Sequence, residues 1–274
     1  MSETPTIQKK TFVENLMTVL SHLRFYKTPF FLTYRPHSFV LKGKDTREVM
    51  RLIKAGDILL RTHNDYLDNR IRQKTFTNAG FYLGEVTDNH LRQLAKVERP
   101  EQYATGEQIV IHAQADGVVL EDLIQFCRCD ALAILRFPSQ IVLQQGMSAP
   151  ELLLQYFDAE LNSATKNPYL PVIRAEKDIV TRLTRGEKLP YETLFKIFYR
   201  VALSQLSTPN TFDFGFDHFH NFKATELIYF IMKSICWNYG IEPQMQKVLF
   251  QQRRVIEPDA FTATELEEVW KKVG

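Results

Sequence analysis

Apolar residues recur three and four apart from Thr11 to Phe25, with Phe12, Leu16, Val19, Leu20 and Leu23 on one stripe. That spacing predicts an amphipathic helix. Pro29 and Pro36 break the stretch that follows, so residues 1–50 read as a helical N-terminal extension with an aromatic connector. Its polar face is not especially basic, which favours packing on the domain behind it over anchoring at a membrane surface. Thr46 to Ala55 predicts a short helix closed by Gly56. Short apolar or β-branched runs come next: Asp57–Arg61, Ala79–Gly84, Gln108–Ala113, Val118–Leu120 and Leu132–Leu135. Gly, Asp or Pro bounds each, as for strands of one antiparallel sheet.

From Pro150 the period changes. Glu151–Leu161, Lys177–Leu183 and Tyr191–Leu206 carry apolar residues at helical spacing, with 167–171 (Asn-Pro-Tyr-Leu-Pro) as a loop between the first two. Phe212–Phe216 reads as extended and aromatic, and Ala224–Trp237 as a helix. Thr262, three residues before Glu265, predicts a capped short helix for the tail. The expected organisation is an extension at 1–50 and one domain at 51–274 with a helical insertion at about 145–190.

Composition alters this picture little. The 274 residues are 45% apolar and 24% charged, with a net charge of +2, as in an ordinary globular chain. No basic run calls for nucleic acid or an anionic membrane. Cys127, Cys129 and Cys236 are few and odd in number, which favours a reducing compartment over a disulfide framework. Cys127-Arg128-Cys129 is poor zinc spacing, and burial as small apolar side chains is the preferred reading. The start MSETPTIQKK lacks the apolar core of a signal peptide. No run is long enough to span a bilayer, so a cytoplasmic protein without a membrane span is expected.

Three segments are more specific: 55–85 (AGDILLRTHNDYLDNRIRQKTFTNAGFYLGE), 109–123 (IVIHAQADGVVLEDL) and 212–234 (FDFGFDHFHNFKATELIYFIMKS). Read in order, Gly-Asp-Ile, Thr-Asn-Ala-Gly-Phe-Tyr-Leu-Gly, Val-Ile-His-Ala, Phe-Asp-Phe-Gly-Phe and Ala-Thr-Glu-Leu resemble the circularly permuted NlpC-like cysteine peptidases and amidases of the papain-like superfamily, including the YiiX-type proteins. Ile256-Glu257-Pro258-Asp259 resembles the family's Pro-Asp segment. The resemblance covers roughly residues 50 to 265. It implies an α+β papain-like domain in permuted order, with an antiparallel, barrel-like sheet packed by helices.

That family places a cysteine at a helix start, where the macrodipole and free N–H groups favour thiolate. A histidine on a neighbouring strand moves the proton, and a third polar group orients it. By resemblance the nucleophile position falls on Ala224, the base position on Asn78 and the orienting position on His112. Ala224 offers no nucleophilic atom, and Asn78 cannot take a proton near neutral pH. A histidine is acceptable at the third position.

The neighbouring residues have plainer readings. Thr225 is a weak nucleophile without a base and suits a cap, and Glu226 complements the helix dipole in any case. Asp217, His218 and His220 are read as solvated loop residues beside the cleft in preference to a metal site. Thr225, Glu226 and His220 are the expected ligand-binding positions, with no metal or cofactor. His63 and His90 are read as surface residues. The aromatic positions 212–222 suit one face of a core better than an acyl or peptide groove.

Three functions follow from these residues. The chain is expected to be a catalytically inactive homologue that keeps the cleft for a peptide, amide or lipid-like ligand. The alternatives are an active thiol hydrolase or acyltransferase whose cysteine has been replaced at 224, and a structural or regulatory protein whose cleft has closed. Two substituted positions weigh towards the first over the second.

Overall fold

The computed structural model describes residues 39–63, 75–114, 117–143, 151–162, 170–206, 224–234, 241–248 and 251–273. The helix expected at Thr11–Phe25, the extended segment at Phe212–Phe216, and Asp217, His218, His220 and Cys236 lie outside them.

The predicted strands form one antiparallel sheet. They are β1 (Ile58–Thr62), β2 (Asn78–Val86), β3 (Gly106–Gln114), β4 (Gly117–Asp122) and β5 (Ala131–Arg136), joined by β10 (Glu267–Lys272) in the order β10-β5-β1-β2-β3-β4. Among the described residues the sheet is open, with β10 and β4 as its two end strands, so the barrel-like expectation is corrected. Two small antiparallel pairs stand apart from it. β6 (Gln140–Ile141) pairs with β7 (Leu189–Pro190), and β8 (Gln244–Val248) with β9 (Gln251–Val255). The β6–β7 pair brings together the two ends of the segment read as an insertion.

Both faces of the sheet are covered, which is why its strands read as nearly unbroken apolar runs. Ile58, Leu60, Ala79, Phe81, Ile109 and Ile111 face one core. Their alternates Leu59, Tyr82, Val110, Leu132 and Ile134 face the other. The larger core is closed by α2 (Asp88–Leu94), α4 (Glu151–Asn162), α5 (Leu170–Thr184), α6 (Tyr191–Ser204), α7 (Ala224–Lys233) and α8 (Asp259–Thr262). The smaller one is closed by α1 (Gly43–Leu52), the short α3 (Leu123–Phe126), Leu41 and the buried Cys127 and Cys129. Fully buried side chains such as Phe81 and Phe198 each contribute about 1.5–3 kcal/mol of hydrophobic stabilisation.

Several boundaries differ from the sequence reading, each for a local reason. α1 starts at Gly43 because the Asp45 carboxylate accepts the Lys42 N–H at 2.8 Å. It ends at Leu52 because Ile53 is extended and Asp57 takes the Lys54 N–H at 2.8 Å, folding the chain into a turn. α5 begins at Leu170, so Pro171 sits in its first turn, where no intrahelical N–H is needed. The predicted capping box at Thr262 does not form. Thr262 instead ends α8, its hydroxyl donating to the Asp259 carbonyl at 2.7 Å. The tail beyond it is strand β10, bulged between Glu268 and Trp270, so that Val269 and Trp270 both pack against the smaller core.

Lys96, just past α2, has φ +54. The left-handed turn lets Val97 N–H reach the Leu91 carbonyl at 3.1 Å, at the steric cost a Cβ carries in that region. Relief of that cost, about 1–2 kcal/mol, exceeds the roughly 0.5–1 kcal/mol of extra chain entropy that glycine brings. Lys96→Gly is therefore expected to raise folding stability by up to about 1 kcal/mol, measured by urea denaturation.

Candidate functional site

Helix α7 forms because Leu227, Ile228, Ile231 and Met232 make one buried stripe. That stripe packs on β2 and β3 within the larger core, beside Ala79, Phe81, Ile109 and Ile111. Ala224 is its first residue. Thr225 is buried, and its hydroxyl donates to the Ile256 carbonyl at 2.7 Å. Glu226 is also buried. Two residues beyond the Glu257 that follows Ile256, the Asp259 carboxylate accepts the N–H groups of Thr75 and Phe76, at 3.2 and 3.1 Å. The Pro-Asp segment thus joins the start of α7 to the entrance of β2.

His112 does not take part in that joint. On β3 the odd positions Ile109, Ile111 and Ala113 face the α7 side, and Val110 faces the other. Strand alternation puts His112 with Val110, and its ring meets Phe126 of α3 edge to face at 5.3 Å. Asn78 alternates with Ala79 in the same way and pairs across the sheet with Arg61. Its side-chain Oδ1 is buried and makes no hydrogen bond among the described residues. The family's two strand positions therefore share one face of the sheet, and the helix carrying its nucleophile position covers the other.

On the His112 face the structure assembles a polar cluster instead. Nε2 of His112 lies 3.0 Å from Glu121 Oε2, close but without the alignment of a good hydrogen bond. The same carboxylate oxygen accepts Arg61 Nη1–H at 3.0 Å. Arg61 Nη1 also donates to the Phe126 carbonyl at 3.1 Å, with the guanidinium carbon 3.8 Å above the Phe126 ring. Gly80 makes room for this stack: a Cβ there would fall 2.6 Å from Val110 Cγ1 and 2.9 Å from the Phe126 ring.

The cluster's electrostatics follow from its burial. His112 is fully buried, which pushes the imidazolium below its ordinary range and leaves the ring neutral near pH 7. Glu121 opposes that shift and Arg61 adds to it. Burial works to raise the Glu121 carboxyl, but His112 and Arg61 together outweigh it and hold it below its usual range. Cys127 packs nearby, and burial pushes its thiol up to about 12. Burial raises the Cys129 thiol too. Both are free and buried, as the sequence suggested, and neither has the character of an activated nucleophile.

No protein-family model, curated protein or solved structure matches this chain.

Other expected positions are corrected in detail. His90 is half-buried inside α2, with Nδ1 2.9 Å from the Tyr199 hydroxyl, and His63 is half-buried against the Phe39 ring at 5.9 Å. Among the described residues, no three His, Cys, Asp or Glu side chains are placed to hold a metal. None of the described helices is long and apolar enough to cross a membrane. A cavity of about 260 Å³ beside α2, lined by Lys96, Val97, Glu98, Arg99, Gln102 and Tyr103, includes none of the motif residues. Sequence reasoning passed over Arg61 and Glu121. A charged residue closing an otherwise apolar strand, as Arg61 closes Ile58–Leu60, was the available signal.

Proposed function

We propose that this chain is a non-catalytic relative of the permuted NlpC-like, YiiX-type thiol hydrolases and acts through binding or regulation. The observation that carries the reading is the disposition of the three motif positions. Two of them, Ala224 and Asn78, have no nucleophile or base to offer. The third, His112, is on the sheet face away from α7 and beside Glu121. Thiol hydrolysis needs nucleophile and base within hydrogen-bond reach, a condition this arrangement lacks. Of the two non-catalytic forms, the one with a closed helix mouth is favoured, since Thr225 and Glu226 are buried and the Thr225 hydroxyl is committed to Ile256.

The test restores the missing groups. Ala224→Cys alone and Ala224→Cys with Asn78→His are alkylated with iodoacetamide across the pH range, and modification at position 224 is followed by mass spectrometry. The introduced thiol is expected to react slowly, with the profile of a thiol titrating at or above about 8.5, and the added imidazole to change the rate by less than about twofold. Rapid alkylation near pH 6 that depends on the added imidazole would sink the proposal, because it requires an assembled thiolate–imidazolium pair. Circular dichroism of both variants confirms that the fold is intact.

A further inference from the structure

The Arg61–Glu121–His112 cluster lies at a mechanically distinct place. β4 is an end strand of the sheet, hydrogen-bonded only to β3 among the described residues, and α3 follows it without a break. Arg61, on β1 near the middle of the sheet, reaches across to hold both. One nitrogen donates to Glu121 of β4 and to the Phe126 carbonyl of α3. His112 Nε2 lies 3.0 Å from the same carboxylate oxygen. Arg61, neutral His112 and Glu121 sum to zero charge, a tolerable state for a buried group of this kind.

We propose that His112 is a proton-operated latch that releases the β4–α3 edge of the sheet on acidification. Protonation places two cations on one carboxylate oxygen and leaves the site with a net positive charge. Among the described residues, the charged groups facing His112 are Arg61 from β1 and Glu121 from β4. From β2 it is faced by Asn78 and Gly80, and from α3 by Phe126, with Cys127 following as a neutral thiol, so none of these supplies a second anion. Burial resists the imidazolium. Water entering as β4 and α3 lift away removes that resistance, so opening and proton uptake are coupled. Opening bares Leu123 and Phe126 of the smaller core together with the inner hydrogen-bonding edge of β3, a surface suited to strand addition.

Linkage fixes the sign. The closed state holds the His112 proton more weakly than the open state, so the closed state loses stability as pH falls through the open-state value near 6.5. Below that value each pH unit raises the opening constant by up to about tenfold. The window between about pH 6.5 and about pH 5 lies above the ordinary range for a glutamate in an opened edge, which separates His112 from Glu121.

The test is amide hydrogen exchange on the full chain at about pH 7, about pH 6 and about pH 5, corrected for intrinsic exchange rates. Protected amides of residues 117–127 are expected to gain about tenfold in opening between about pH 6 and about pH 5, with β1 and β5 unchanged. His112→Gln, which keeps a donor but cannot titrate, is expected to flatten the response. The same slope in that variant, or a uniform loss across the sheet, would overturn the proposal. The wild-type ring itself gives a check that needs no variant. In nuclear magnetic resonance, its protonation is expected to coincide with edge opening, and a ring titrating near 6.5 within a closed edge would refute the latch.

Discussion

Glu121→Ala is expected to destabilise the fold by about 3–5 kcal/mol, because it leaves a buried guanidinium without its anion. The Arg61 side chain is 7% exposed, and after the substitution its guanidinium keeps the hydrogen bond to the Phe126 carbonyl. That neutral acceptor and the ring beneath it do not replace a carboxylate. Glu121→Gln separates charge from shape: it keeps an acceptor for Arg61 and is expected to cost about 1.5–3 kcal/mol, the range for hydrogen bonds to charged groups. Urea denaturation of the three proteins at neutral pH supplies the comparison. Equal losses for Ala and Gln would mean that the carboxylate's charge is what matters. Losses below about 1 kcal/mol for both would mean the cluster behaves as an exposed pair.

The same cluster shows where sequence reasoning reached its limit. The strands themselves were legible, since Ile58–Leu60, Ala79–Leu83, Ile109–Ala113 and Leu132–Leu135 are short apolar runs between turn residues. Burial of both sheet faces made those runs legible and also hid their orientation. Where a strand alternates apolar and polar residues, the pattern states which side faces the core. In Val110-Ile111-His112-Ala113 every neighbour is apolar, so the sequence places His112 on a strand without saying which face it takes. The answer depends on which core α7 covers. Motif order carries no information about that.

Other discrepancies have a similar origin. Glu267–Lys272 is rich in residues with good helix propensity, yet it pairs with β5, because an available sheet edge and burial of Val269 and Trp270 outweigh weak local preference. Asp45 and Asp57 decide where α1 starts and how the chain turns after it, through hydrogen bonds to Lys42 and Lys54. Such local competition between side chain and backbone shifts a helix by a few residues without disturbing its periodicity. Asp259 was legible only as part of a motif. Its contact with Thr75 and Phe76 joins parts of the chain some 184 residues apart, beyond the reach of any local pattern.

The largest single loss outside the cluster is expected for Arg136→Leu, at about 3–5 kcal/mol near neutral pH. Arg136 grips Asp57 with two bonds, Nε to Oδ1 at 2.9 Å and Nη2 to Oδ2 at 2.7 Å. Nη2 also donates to the Leu52 carbonyl at the end of α1, at 2.7 Å. The Asp57 side chain is 3% exposed. Beside it, Gly56 adopts φ +95 under the Tyr191 ring, whose hydroxyl donates to the Gly56 carbonyl at 2.9 Å. This turn therefore fastens α1, β1, β5 and α6 together. Burial already raises the Asp57 carboxyl, against the opposing pull of Arg136 and the Lys54 N–H. A carboxyl raised in the folded state favours folding below its unfolded value, and that contribution is lost as pH rises through the folded value. Removing Arg136 takes away the strongest force holding the carboxyl down, so the folded value rises further. The variant's deficit relative to wild type should consequently be greatest near pH 7 and shrink as pH falls towards about 4, where the buried carboxyl takes a proton. Adding Asp57→Asn to Arg136→Leu is expected to recover part of the neutral-pH loss and to remove its pH dependence. A deficit that stays constant from about pH 4 to about pH 8 in the single variant would show that lost packing by the arginine stem, rather than a stranded carboxylate, accounts for the change.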